Sequence, residues 1–298
     1  MLLLVVTLLP ASAWARQSLL LVLSQNSQPY RDYVASLEVQ LPQWNVQSVL
    51  SEYYSPTAVQ ADLIVTVGTQ AARDVLQQPQ HWPVLSVLIP RQTFVTLTRQ
   101  PLLLERQAQG LLSAIYLEQP ITRQLQLAKL IRPSITRMGV VLGPSSHEQL
   151  PAIEAAIEAQ GWQPRLVRFN HNENPIQLLE PLSENSDAIL VVPDKAEFNR
   201  SISKWLLLLS YRGNLPLIGF SSRYVDAGAT AAVFSTPASI AKDTGAWLAE
   251  WQQHSALPVP AFPAFFEVRT SPQAAQSIGL QLPSQAEIEA MMSQERQP

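Results

Sequence analysis

The sequence predicts an α/β protein made of two doubly wound, parallel-sheet lobes joined by hinge strands. Short apolar runs alternate with segments of helical spacing, which is the pattern of parallel sheets connected by crossover helices. The alternation runs through one block and starts again near Arg137. The chain has 298 residues, enough for two domains of about 100–150 residues each.

The first block predicts four buried strands, two helices and one long helical pattern. Tyr30, Val34, Leu37 and Leu41 show the spacing of one helical face. A further helical pattern covers 111–131 and is broken near Pro120. The predicted strands are 18–23, 46–50, 62–67 and 83–89, and the predicted helices are 30–41 and 71–77.

The second block repeats the alternation, and proline and glycine residues mark the ends of its predicted elements. Gly161, for example, follows a helical pattern at the position where a helix commonly ends. The predicted strands are 137–142, 163–169, 188–192, 215–220, 229–234 and 265–268. The predicted helices are 149–160, 175–182, 197–211, 238–252 and 272–278.

Two predicted crossings divide the chain between the lobes. The first lies near 116–120 and the return lies near 234–237. We therefore expect a first lobe of 16–117 plus about 236–263, and a second lobe of 118–235 plus about 264–298.

The first residues, 1–15, read as a secretion signal peptide. An apolar run ends at Pro10, and Ala13 and Ala15 supply small residues for cleavage, although no basic residue precedes the run. This predicts a periplasmic location. The absence of cysteine excludes disulfides, thiolate chemistry and a lipoprotein anchor.

Composition and motifs exclude several function classes. The net charge of −3 and the 14% of charged residues do not suggest a nucleic-acid partner, which usually needs a clustered basic face. The four histidines are far apart, so no metal site is expected. Nucleotide-binding and hydrolase motifs are absent. We predict neither an enzyme nor a cofactor.

A ligand site is expected where the strands end, because ligands of open parallel sheets bind outside their carboxyl ends. Hydroxyls and helix N–H groups there suit a carboxylate, Asp194 suits an ammonium group, and aromatic rings can stack on a ligand. Helix capping is the alternative role for the polar residues, and core packing is the alternative role for the aromatic ones. The candidate ligand-binding residues are Ser24, Tyr30, Thr69, Gln70, Ser145, Ser146, Asp194, Phe220, Ser221 and Tyr224.

Several segments in order resemble a known family. They are IYLEQP at 115–120, RMGVVLG at 137–143, AILVVPDKAEFN at 188–199, PLIGFSSRYVDAGA at 216–229 and IGLQLP at 278–283. The chain resembles the substrate-binding proteins of ABC transporters with the type I periplasmic binding fold, in the group that includes the tryptophan-binding-like proteins.

The resemblance implies two lobes that close on a small ligand. Asp194 matches a ligand-facing acidic position, and Thr69 matches a polar loop of the first lobe. The chain departs from the family at 88–94, which lacks the usual aspartate-proline pair and glycine-rich stretch, and at Thr270, where an asparagine is usual. Arg91 in that divergent loop suits an anionic group, and the alternative interpretation, which ordinary surface preference favours, is a solvated loop arginine.

The predicted function is that of the periplasmic solute-binding component of an ABC importer. It would capture a small polar ligand, such as an amino acid or a derivative, by hinge closure. The expected partner is an inner-membrane ABC permease, and a monomer is expected. One alternative is a periplasmic sensor that feeds a membrane signalling protein without transport. Another is a two-lobed enzyme with an interlobe cleft, which turnover of the bound ligand would reveal.

Overall fold

The computed structural model describes residues 16–58, 60–79, 81–169, 174–194 and 196–294. The predicted signal peptide at 1–15 lies outside the described residues. Within these ranges the chain forms two separate sheets, one of five strands and one of six. Helices cover both faces of each sheet, so the predicted class of two doubly wound α/β lobes is confirmed.

The first sheet is parallel throughout, in the order β2-β1-β3-β4-β5. Its strands are β1 (Ser18–Leu23), β2 (Asn45–Leu50), β3 (Leu63–Val67), β4 (Val84–Ile89) and β5 (Leu112–Tyr116). Strand β3 is buried along its whole length. Continuous apolar runs suit such strands, because both faces of the sheet are covered.

Residues that alternate along the first sheet divide its core into two layers. On one face Leu21 and Val65 pack against α1 (Gln28–Gln40) and α10 (Pro237–His254). The opposite face carries Val22 and Ile64. Its covering helices are α2 (Thr69–Leu76), α3 (Arg91–Leu97) and α4 (Pro101–Ala108).

The second sheet has the order β11-β10-β9-β8-β6-β7. Its strands are β6 (Arg137–Leu142), β7 (Gln163–Arg168), β8 (Ala188–Val191), β9 (Leu217–Gly219), β10 (Ala231–Phe234) and β11 (Glu267–Thr270). Strand β11 is antiparallel to β10 and the remaining pairs are parallel. An antiparallel edge strand on a largely parallel sheet is common.

Helices cover the second sheet in the same way. One face packs against α5 (Ile121–Ile131), α6 (Leu150–Glu158) and α12 (Gln285–Gln294). The other packs against α7 (Pro175–Glu184), α8 (Ala196–Arg212) and α9 (Ser222–Asp226). Helix α11 (Pro272–Ser277) follows the last strand. No helix within the described ranges has both the length and the apolar character that a membrane span requires.

In the described part of the chain, three connections join the two sheets: β5 to α5, β10 to α10, and the segment after α10 to β11. The third runs along the free edge of β5. The N–H of Ala261 donates to the carbonyl of Ala114 at 3.0 Å, and the N–H of Tyr116 donates to the carbonyl of Ala261 at 3.0 Å. The third connection therefore lies beside the start of the first.

The predicted long helical pattern at 111–131 is wrong in its first part. Leu112–Tyr116 is the buried strand β5, and only Ile121–Ile131 is helical. A short apolar run fits a buried strand and a buried helix equally, and Gly110 at φ +69° marks the turn before this strand. Helices α3, α4, α9 and α12 are absent from the predicted elements, because they are short and polar residues interrupt their apolar positions.

Candidate functional site

The carboxyl-terminal edges of the two sheets face each other. Gln92, in the helix that follows β4, donates its side-chain amide to the carboxylate of Glu148, which follows β6. Because both residues come after strand ends, this contact bridges the lobes at the edges where ligands of parallel sheets bind.

A cavity of about 380 Å³ lies between the lobes beside their connections. This volume is within the range of small-molecule sites. The lining combines polar and charged side chains with apolar ones. It is formed by Arg91, Gln92, Glu118, Gln119, Pro120, Ile121, Thr122, Gln124, Glu148, Gln149, Ala152, Ile153, Val192, Pro193 and Phe262.

Glu118 is a carboxylate with one satisfied and one unsatisfied oxygen. Its Oε1 accepts the backbone N–H of Arg91 at 2.8 Å. Its Oε2 is buried and has no hydrogen-bond partner among the residues that the structure describes. Burial raises the pKa of Glu118, and the backbone N–H groups and the Arg91 charge oppose that rise. A buried polar atom without a partner costs about 1–3 kcal/mol, and more if it is charged.

Aromatic rings form the apolar part of this region. The rings of Tyr116 and Phe262 meet edge to face with centroids 5.3 Å apart, and the centroid of the Phe94 ring lies 6.2 Å from that of Tyr116. Burial raises the pKa of the Tyr116 hydroxyl, which also hydrogen-bonds to the Arg91 side chain. Phe262 is 37% exposed, so part of its ring is available to a ligand.

Hydrogen bonds tie the connections between the lobes together. Gln119 in the first connection donates to the Ser235 hydroxyl in the second at 2.7 Å. Arg123 donates to the Gln119 side chain and also to the carbonyl of Pro263 in the third connection, the latter at 2.8 Å. This network holds the three connections in one bundle beside the cavity, as expected of a hinge.

The structure brings Ser145, Ser146 and Asp194 together at the end of the second sheet. Asp194 accepts the hydroxyls of both serines at 2.6 Å and the N–H of Ser146 at 2.7 Å. The N–H of Ser145 lies 3.2 and 3.3 Å from its oxygens. A carboxylate has about four acceptor positions, so this one is already occupied by the loop after β6. Asp194 therefore shapes the loop.

Ser24, Tyr30, Thr69 and Gln70 gather around Gly68 at the end of the first sheet. The Ser24 hydroxyl accepts the N–H of Ala71 at 2.9 Å, which satisfies one free donor of α2. A Cβ on Gly68 would lie 2.4 Å from the Tyr30 hydroxyl. Thr69 opens α2 and is half-buried, while the exposed Gln70 bonds to Asp74 on the next turn at 2.7 Å.

Phe220, Ser221 and Tyr224 follow β9 in the second lobe. The rings of Phe220 and Tyr224 have centroids 5.0 Å apart. Tyr224 is buried in the core, its hydroxyl lies 2.8 Å from that of Ser203, and burial raises its pKa. Ser221 precedes α9 and makes no side-chain capping bond. In this conformation Tyr224 packs within its own lobe.

None of the predicted site residues lies among those that line the interlobe cavity. Sequence reasoning considered Arg91 and missed Glu118 and Phe262. Glu118 follows a strand end, like the predicted residues, but β5 was interpreted as helix. Recognition of that strand would have placed Glu118 at the expected edge. No cluster of three metal-ligating side chains occurs in the part of the chain that the structure describes.

Comparisons with solved structures place the fold in a known class. A ligand-free, open substrate-binding protein with adhesive properties from Clostridium difficile aligns with a TM-score of 0.72 at 15% identity, over 90% of this chain and 96% of that one. A conserved domain protein from Vibrio cholerae gives 0.61 at 15% identity, over 93% and 98%. An ABC domain from Streptococcus pneumonia in complex with L-Trp gives 0.59 at 15% identity, over 92% and 98%.

The fold is therefore that of type I periplasmic-binding-like proteins. No family model matches the chain, and no curated protein matches it. Membership of the tryptophan-binding-like group stays a prediction, because identities of 15% establish the fold alone.

Proposed function

We propose that the chain is the periplasmic solute-binding component of an ABC importer. It captures a small polar ligand, such as an amino acid or a derivative, between its lobes. The observation that carries this proposal is the cavity of about 380 Å³ where the carboxyl-terminal edges of both sheets meet beside hydrogen-bonded connections. Similarity in fold to substrate-binding proteins supports it.

Closure follows from the position of the cavity. A ligand there contacts α3 of the first lobe and α6 of the second, so it stabilises the state in which these helices are close. Gln92 and Glu148 already bridge the rim. The proposed lobes are 16–117 with about 236–263, and 118–235 with about 264–298, which places the hydrogen-bonded connections at their boundaries.

In the proposed closed state, predicted loop residues that do not line this cavity would add contacts to the ligand from the strand ends. They are Ser24, Thr69 and Gln70 on the first lobe and Ser221 on the second. Asp194 fixes the loop of Ser145 and Ser146, which leads directly into the lining residues Glu148 and Gln149. The closed form would then dock on a permease in the inner membrane.

Native mass spectrometry of protein purified from the periplasm without denaturation tests solute capture. The expected result is a small-molecule adduct that is lost on unfolding. Ala152→Trp, at an exposed position of α6 that lines the cavity, should abolish the adduct by filling the space. Ala155→Trp, exposed on the same helix outside the lining, should retain it.

A bare mass in every preparation, together with no thermal shift across amino acids, peptides and organic anions, would contradict solute capture. An adduct that survives Ala152→Trp would contradict the proposed cavity. An adduct that is chemically altered on incubation would indicate an enzyme.

A further inference from the structure

We infer that Glu118 selects the ligand of the interlobe cavity, and that this ligand presents a protonated amine to Glu118 Oε2. The inference rests on the proposed function, because it names the ligand class of the same cavity. It concerns a residue in the first connection between the lobes, outside the loops where the sequence suggests ligand contacts.

The first step is the unsatisfied oxygen. Oε1 of Glu118 is held by the Arg91 N–H at 2.8 Å, which fixes the carboxylate in place. Oε2 is buried without a donor among the described residues, in a side chain that lines the cavity. The nearby amide of Gln119 is directed to Ser235 at 2.7 Å. Buried acceptors in folded proteins are normally paired, so a ligand N–H is the missing partner.

The second step is charge. Among the residues that the structure describes, the ionisable ones that line the cavity are Arg91, Glu118 and Glu148, which gives two carboxylates against one guanidinium. The Arg91 side chain is already engaged with the Tyr116 hydroxyl. A cation balances the remaining negative charge, whereas an anion would lie against two carboxylates. The cavity therefore favours a positively charged nitrogen over a neutral donor.

The third step is the aromatic wall. Phe262 lines the cavity and is 37% exposed, and its ring is held by an edge-to-face contact with Tyr116. A ring face attracts an ammonium group and also packs against the apolar part of an amine ligand. The carboxylate of Glu118 and the ring of Phe262 together suit a ligand whose amine is attached to an apolar group.

Binding of an amine should depend on pH. Burial raises the pKa of Glu118, and binding a cation requires its ionised form. Affinity should therefore rise as pH increases through the pKa of Glu118 and then level off. The charged and titratable groups around it are Arg91 and Glu148, which line the same cavity, and Tyr116, whose hydroxyl has a pKa raised by burial.

The test measures affinities by titration calorimetry for matched compounds: the L-amino acids, the amines obtained by decarboxylation, and the acids obtained by deamination. Wild type should bind members of the first two sets and none of the third. Glu118→Gln, which keeps an oxygen for the Arg91 N–H, should weaken amine binding at least tenfold and remove its pH dependence. Glu105→Gln, on the exposed surface of α4 in the first lobe, should bind like wild type.

Two results overturn the inference and leave solute capture intact: deaminated acids that bind as tightly as their amines, or a Glu118→Gln variant with wild-type affinity. Failure of the proposed function looks different. In that case wild type binds none of the compounds and its native mass is bare, and both proposals are wrong.

Discussion

The backbone N–H of Arg91 donates to Glu118 Oε1 at 2.8 Å, across the gap between the end of β4 and the first connection of the lobes. This bond places a buried carboxylate at the wall of the cavity and leaves its second oxygen without a partner in the described structure. A buried oxygen without a partner destabilises the folded state, and ligand-binding sites often contain groups that lower stability in this way.

Replacement of Glu118 should change how stability depends on pH. Its pKa is raised in the folded state by burial, so the folded state retains a proton that the unfolded state loses, and stability falls as pH rises through that window. Glu118→Gln removes this loss. The free energy of unfolding of the variant, measured by urea titration without ligand, should therefore gain on that of wild type as pH rises above the ordinary pKa of a glutamate. A constant difference would contradict burial of the charge.

Asp194 should behave as a structural residue. Asp194→Ala leaves two hydroxyls and two N–H groups of the loop after β6 without their acceptor, so it should destabilise the chain by about 2–3 kcal/mol. Asp226→Ala is the control. It breaks an exposed ion pair with Arg269, which should cost under about 1 kcal/mol. Equal losses for the two variants in thermal unfolding would show that Asp194 does not hold the loop.

Asp187 should stabilise the second sheet at the amino-terminal ends of β6 and β8, independently of the cavity. Burial would raise its pKa, but hydrogen bonds from Arg137 and Thr136 outweigh this and hold the pKa well below its usual value. Asp187→Asn should cost about 1–3 kcal/mol at pH 7. The difference should shrink as pH falls below the unfolded pKa of about 3.9, because the native contribution is lost on protonation.

Ligand affinity supplies the second readout for Asp187→Asn. The residue links the starts of β6 and β8, whereas the cavity lies at their ends. Affinity should therefore remain within about threefold of wild type, well under the tenfold change that 1.4 kcal/mol represents. A parallel loss of affinity would mean that this edge and the cavity are coupled.

Gly68 should tolerate no side chain. Its φ is +91°, and a Cβ would lie 2.4 Å from the Tyr30 hydroxyl and 2.6 Å from that of Ser24. Gly68→Ala should destabilise by about 2–3 kcal/mol, from conformational strain together with steric overlap. Gly161→Ala is the matched control, since φ is +75° there and nothing lies within 4 Å. Its cost should be about 1 kcal/mol. Similar costs measured by urea unfolding would contradict the crowding at Gly68.

Much of the fold was predictable because its strands are long apolar runs bounded by clear turns. Ser18–Leu23 and Arg137–Leu142 have the predicted bounds, since both are buried and flanked by polar residues. Strand β5 was not predicted, because the periodicity of LSAIY continues into the following helix. Its misassignment also hid Glu118, whose importance depends on the end of that strand.

The candidate site was less predictable than the fold. Sequence position correctly indicates that Ser145, Ser146 and Asp194 follow strands, but it cannot show that they bond to one another. Likewise, Phe262 lies in the third connection, 141 residues after Ile121, which is the first residue of α5. Only the return of the chain to the edge of β5 brings it to the cavity.

The distance between the lobes tests solute capture most directly. The chain contains no cysteine, so Gln25→Cys and Arg223→Cys can be labelled selectively. They are exposed positions after β1 and near the start of α9. Pulsed electron spin resonance would compare the ligand-free protein with protein given the L-amino acid mixture or the dialysate of a periplasmic extract. The account predicts a shift to shorter distances with at least one of these, and none in Ala152→Trp. An unchanged distribution with both would contradict it.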